Sequence, residues 1–192
     1  MITAEQLLTF CSKEIDVERF QKPFRFRGKV YATNGRICIR IPDRPDFSIR
    51  DVTGESNIDY SKVFTDASNC DMEIPDLPDA IVCKHCLGDG KNHEIDCPDC
   101  NGEGCENCDL GYKRSDYPSI DGAQCWFCSG HGEQQHNPVK ISGVFFNRIY
   151  LAIAKQIPGA RFTYIAENEA AQLKFEGGEI ALMPTRNNLP GV

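Results

Sequence analysis

Four Cys-x-x-Cys pairs fall within forty-six residues of this 192-residue chain, at Cys83/Cys86, Cys97/Cys100, Cys105/Cys108 and Cys125/Cys128. Three run on into a Gly-x-Gly tail (CKHCLGDG, CPDCNGEG and CWFCSGHG), whereas CENCDLGY keeps only Gly111, one place late. A Cys-x-x-Cys turn aims two thiolates at one point, and small residues after it let backbone N–H groups reach the sulfurs without a Cβ in the way. Two such turns complete a tetrahedron, so eight cysteines provide for two closed zinc sites, or two zinc ions per chain. The segment around them is rich in glycine and acid, with little apolar content beyond Trp126 and Phe127. Burial alone does not hold such a segment together. Metal has to supply much of its folding energy, of order ~10–16 kcal/mol per structural zinc.

The same thiols admit other chemistry. A disulfide framework belongs to secreted proteins, and the opening MITAEQLLTFCSKEID has no basic leader, apolar signal core or small-residue cleavage site. A cytoplasmic, reducing location is the expectation. Eleven cysteines is also an odd number, and Cys11, Cys38 and Cys70 stand singly, as buried small hydrophobes do. An iron–sulfur cluster, or a redox dithiol at one pair, is the remaining alternative. His85, His93, His131 and His136 lie near the cysteines, but eight paired thiols need no further ligand.

The formal charge is −7 with thiols neutral. Eight thiolates add eight negative charges and two zinc ions add four positive ones, which brings the loaded chain to −11. Phosphate contacts require a basic surface, so generic nucleic-acid binding and membrane adhesion are disfavoured, and DNA binding by a monomer is expected to be weak. Lys22, Arg25, Arg27 and Lys29 alternate with Phe24, Phe26 and Val30, a spacing that reads as the solvent face of a strand. No stretch approaches the ~20 apolar residues of a membrane span.

Outside the cysteine segment the patterns are those of an ordinary domain. Thr3 and Gln6 have capping-box spacing at the head of a helix over 2–12. From Pro23 the period becomes two: 24–32 reads as one strand and 34–42 as another, with Asn34-Gly35 as a hairpin turn. Residues 42–58 read as a loop, Tyr60–Asp66 as a short helix and 71–79 as a linker. VKISGVFF (139–146) reads as a strand entering a helix with Ile149, Ile153 and Ile157 on one face, stopped by Pro158-Gly159. RFTYIA, AAQLKFEG and GEIALMP are three further strands. The fold class is α+β with a mostly antiparallel sheet: residues 1–80 plus 139–192 form one discontinuous domain, and 81–138 an inserted metal module.

The CxxCxGxG repeats over 83–132 resemble the cysteine-rich domain of DnaJ-type co-chaperones. In that family the first and fourth motifs share one zinc and the second and third the other. The resemblance thus implies one site at Cys83, Cys86, Cys125 and Cys128 and another at Cys97, Cys100, Cys105 and Cys108. Only four residues separate Cys100 from Cys105, and no His-Pro-Asp tripeptide occurs, so co-chaperone activity is not implied. The flanks, through YATNGRICIRIP and VFFNRIYLAIAKQIPG…LKFEGGEIALMPTR, look like parts of a bacterial sliding-clamp domain. That implies a single clamp-like domain carrying the insert, able to encircle DNA only as a homo-oligomer. Such a combination suits a phage or mobile-element protein.

Three functions follow as expectations. The first is a non-enzymatic zinc-binding protein whose module docks a protein partner through Trp126, Phe127, Leu87 and Tyr112, aromatic and apolar anchors on a metal-held scaffold. The second is a DNA-associated accessory factor. The third is a thiol oxidoreductase, which nothing beyond the cysteines supports: there is no nucleotide-binding glycine loop, no Ser/His/Asp signature and no HExxH. Native mass spectrometry of the purified chain is expected to show two zinc ions; one ion, or the colour of iron, overturns the eight-ligand reading.

Overall fold

The computed structural model describes residues 2–12, 20–45, 47, 49–53, 59–84, 86–91, 125, 128–134 and 137–185. The chain divides into two compact units, one of Met1–Asp79 with His136–Val192 and one of Ala80–Gln135. The larger unit is mostly sheet with few helices. Its eight-stranded mixed sheet runs β4-β1-β2-β3-β10-β9-β8-β5, beside a separate β6-β7 hairpin. These strands are β1 (Phe24–Phe26), β2 (Lys29–Thr33), β3 (Ile37–Pro42), β4 (Arg50–Asp51), β5 (Met72–Glu73), β6 (Pro138–Ile141), β7 (Val144–Asn147), β8 (Arg161–Tyr164), β9 (Ala171–Phe175) and β10 (Gly178–Leu182). All pairings are antiparallel except β1 with β4.

Helix α1 (Ala4–Leu8) starts where the capping box places it. Thr3 Oγ1 accepts from the Gln6 N–H, and Gln6 Oε1 accepts from the Thr3 N–H. The helix is shorter than 2–12, but Phe10 and Cys11 still join Leu7 in the core. The 24–32 segment is not one strand. Arg27 and Gly28 both take positive φ (49° and 71°), the backbone of a tight hairpin, and β2 folds back on β1 with Phe24 opposite Tyr31. An unbroken strand would put Phe24, Phe26 and Val30 on one face. The hairpin instead sends Val30 to one core cluster and Phe24, Phe26 and Tyr31 to another. It also breaks up the alternating cations, with Arg25 paired to Asp43 and Arg27 to Asp59, each at 3.0 Å. At the next turn Asn34 Oδ1 accepts from the N–H groups of Arg36 and Ile37, joining β2 to β3.

The segment read as a strand over 139–146 is likewise a hairpin, β6 and β7, turning at Ser142 and Gly143 (φ 49° and 89°). Asn147 ends β7 and caps α2 (Arg148–Lys155), its Oδ1 accepting from the Ile149 N–H at 2.9 Å. Ile149, Leu151, Ile153 and Ala154 bury one face of α2, and Ile157 follows them into the core. Residues 71–79 are more than a linker. Met72–Glu73 pairs with β8, Arg161 binds Asp71 and Glu73 at 2.7 Å each, and Lys155 binds Asp76 at 2.9 Å. Tyr60–Val63 forms a 3₁₀ turn capped by Asp59.

The sheet is packed on both faces. Ile37, Ile39, Ile41, Leu173, Ile180 and Leu182 share one cluster with residues of α1 and α2; Phe24, Phe26, Tyr31, Cys38, Tyr60 and Ala181 make the other. Cys11 and Cys38 are buried and Cys70 is half-buried; burial pushes the Cys11 and Cys38 thiols up to about 12, so both behave as apolar core atoms. No helix among the described residues is long and apolar enough to cross a membrane.

Gly178 opens β10 where its neighbours leave no room for a side chain. A Cβ there would stand 2.7 Å from Arg40 O, 2.5 Å from Phe175 Cζ and 2.8 Å from Ile41 Cγ2. Gly178→Ala is expected to cost about 1–3 kcal/mol in urea unfolding, the range for overpacking a fitted core. A variant as stable as the parent contradicts this register.

Candidate metal centre

In the smaller unit, the described residues of 83–90 and of 125–132 form two like turns. Each begins at a cysteine and reaches the second cysteine three residues on; Leu87 and Ser129 then take left-handed backbone at φ 50° and 49°. The Asp89 N–H donates to Cys86 O at 3.1 Å, and the His131 N–H donates to Cys128 O at 3.0 Å. The two turns hold each other through reciprocal bonds, Cys83 N–H to Gly132 O (2.9 Å) and Cys125 N–H to Gly90 O (2.8 Å). Behind them Gln134 N–H donates to Ile81 O, and Val82 bridges Glu133.

This brings the sulfurs of Cys83, Cys86, Cys125 and Cys128 within 4.8 Å of one another, all four side chains buried. Cys86 Sγ lies 3.6 Å from Cys128 Sγ, and Cys83 Sγ lies 4.0 Å from Cys125 Sγ. A tetrahedral zinc with Zn–S near 2.3 Å sets its sulfurs about 3.8 Å apart. The donor set, its spacing and its burial therefore fit a structural Cys₄ zinc site. The sulfurs are also prepared for negative charge. Gly132 N–H donates to Cys128 Sγ at 3.3 Å. Burial works to raise the Cys86 thiol, but the N–H groups of Gly88 and Gly90 and the sulfurs of Cys128 and Cys83 outweigh it and bring it down to about 7. Burial and the nearby Cys125 and Cys86 thiols push Cys128 up to about 12, against the pull of the Gly132 N–H.

Cys97, Cys100, Cys105 and Cys108 lie outside the described residues, as do Trp126, Phe127, Tyr112, His85, His93 and His136. Among the described residues the cysteine cluster includes no histidine. Leu87 is described and is 76% exposed. The Gly-x-Gly tails were legible as an N–H supply for the sulfurs. The reciprocal docking of the two turns was not legible, because CPDCNGEG carries the same pattern with both tail glycines as the first and last motifs. No family model matches the chain, and no curated protein or solved structure matches it significantly.

A metal at these thiols competes with protons. Below about pH 7 Cys86 holds a proton that must leave for metal to bind. Zinc affinity is expected to fall with acidification, its logarithm steepening by about one proton per pH unit below neutrality. Chelator competition across pH 6 to 8 measures this; an affinity independent of pH is incompatible with thiolate ligation.

Proposed function

We propose that the chain is a non-enzymatic zinc-binding protein in which metal at Cys83, Cys86, Cys125 and Cys128 fixes a module that docks a protein partner. The observation that carries this reading is the closed set of four buried sulfurs. Four thiolates fill a zinc tetrahedron, whereas catalytic zinc keeps one position for water or substrate. In such a centre the metal contributes folding energy and shape. A second zinc at Cys97, Cys100, Cys105 and Cys108, and a kinship with DnaJ-type cysteine-rich domains, belong to the proposal on the strength of the repeated CxxCxGxG pattern.

The docking reading draws on what the metal-held turns leave outside. Leu87, Val82 and Ile81 are 76%, 56% and 47% exposed, and Val82 Cγ1 would touch a Cβ placed on Gly88, next in chain to Leu87. Leu87 also holds left-handed backbone, which a branched side chain adopts at a cost. Ser129 holds the same backbone in the other turn, so the φ belongs to the turn, and it is the exposure of an apolar side chain there that suits an anchor for another protein.

The alternative is a DNA-associated factor built on a clamp-like domain, alone or as a homo-oligomer. It rests on the likeness of YATNGRICIRIP and the C-terminal segment to sliding clamps. The pairing of Arg25 with Asp43 and Arg27 with Asp59, together with net acidity, weighs against phosphate binding by a monomer.

Metal-loaded protein used as bait in its host is expected to capture a protein partner. Leu87→Ser with Val82→Ser should weaken binding of the purified partner by about tenfold or more while leaving zinc content unchanged. Binding indifferent to both substitutions and to chelation removes the module from the interface. Tight, salt-sensitive binding of duplex DNA by the monomer favours the alternative.

A further inference from the structure

The two halves of the cysteine centre stand in fixed sequence register: Cys83 corresponds to Cys125, Cys86 to Cys128, Gly88 to Gly130 and Gly90 to Gly132. Their contacts are reciprocal. Gly90 and Gly132 share a φ of 77°. A Cβ on Gly90 would stand 2.5 Å from Gly130 O, and one on Gly132 would stand 2.2 Å from Gly88 O. Those obstacles are backbone oxygens inside short turns that are themselves hydrogen-bonded to the opposite half, so they cannot swing aside as a side chain can. All four Cys-x-x-Cys pairs offer the same two thiolates; what differs between them is the tail.

We infer that the fourth residue after the second cysteine selects which pairs can share a metal in this centre, because glycine there admits the opposing backbone and any side chain excludes it. The inference rests on the metal-binding reading above. Applied to the sequence, it divides the four pairs. Cys97/Cys100 carries Gly102 and Gly104 at the two tail positions, whereas Cys105/Cys108 carries Leu110 and Tyr112. Cys105 and Cys108 therefore cannot stand in for either half of the Cys83/Cys86/Cys125/Cys128 centre, although their cysteine spacing is identical. Backbone shape thus excludes one of the four pairs from this centre and leaves Cys97/Cys100, with Gly104, compatible with it.

The test separates this docking from the ordinary penalty of placing alanine at positive φ. Gly88 has the more demanding φ, 99°, but a Cβ there meets only Val82 Cγ1 at 3.4 Å and Gly132 O at 4.0 Å. Backbone strain alone would thus make Gly88→Ala the worst variant, and docking makes Gly90→Ala and Gly132→Ala the worst. Zinc affinity of the full chain is read by chelator competition and stoichiometry by native mass spectrometry, with Cys86→Ser as reference. Gly90→Ala and Gly132→Ala are expected to lose about 100-fold in affinity and one zinc per chain, and Gly88→Ala about tenfold or less. A Gly88→Ala loss equal to or greater than that of Gly90→Ala overturns the inference alone. If Cys86→Ser costs no metal, the zinc reading falls and the inference with it.

Discussion

The larger unit depends on one strand pairing, β3 with β10. Ile39 stands opposite Ile180, Ile37 opposite Leu182 and Arg40 opposite Glu179, joining positions 139 residues apart in the chain. On one side of the seam lie β2, β1 and β4, and on the other β9, β8 and β5. Without it the sheet falls into two four-stranded halves, and the cluster that spans Ile37, Ile39, Ile41, Leu173, Ile180 and Leu182 is cut between them. Closing so long a loop costs only slightly more than closing a short one, which is why a sheet can tolerate a separate unit between its halves. The chain ends bordering that unit are tied within the sheet domain: Asn137 donates to Asp79 O at 3.3 Å, and Arg148 to Pro78 O at 2.6 Å.

The seam also divides one transverse row of side chains. Register places Arg50, Phe24, Tyr31, Arg40, Glu179, Lys174, Arg161 and Glu73 in line across the eight strands. Past the exposed Arg50 at the edge, the first part is aromatic at Phe24 and Tyr31, with Tyr60 packed on Phe24 and Phe26. The second part is charged, and its exposed pairs contribute little to stability. Arg40 sits at the boundary: its guanidinium lies 4.1 Å from the Phe64 ring centroid and binds Glu179 through both Nε and Nη2. One residue thus closes the apolar half and opens the solvated one.

In the smaller unit the controlling interaction is between backbones. Four thiols converge because two short turns present their glycine tails to each other, and N–H groups of those same tails point at the sulfurs. The clustering of the thiols and the backbone geometry are inseparable there, which is why the tail glycines belong to the proposed zinc site as much as the cysteines do. A module held in this way can keep leucine and valine outside, since its cohesion does not depend on burying them. That division of labour underlies the proposal of a docking function.

Local chemistry in the sequence determined a good deal. Thr3 and Gln6 marked the first helix, Asn34-Gly35 a hairpin, Ile149, Ile153 and Ile157 a buried helical face, and GEIALMP a strand, because capping, turn geometry and periodicity act within a few residues. The cysteine spacing likewise announced a cluster of thiols able to hold a metal, since a Cys-x-x-Cys turn aims its two sulfurs at one point. The hidden turns at Arg27-Gly28 and Ser142-Gly143 escaped notice because period-two patterning continues unbroken across a tight hairpin, and only a partner strand reveals which face a residue occupies. The edge strand at Met72–Glu73 read as linker because its pairing and its ion pairs come from β8, some ninety residues away. The β3–β10 seam and the reciprocal glycine contacts were decided by tertiary structure alone: each depends on two segments meeting, and a contact between distant backbones leaves no periodicity in either one.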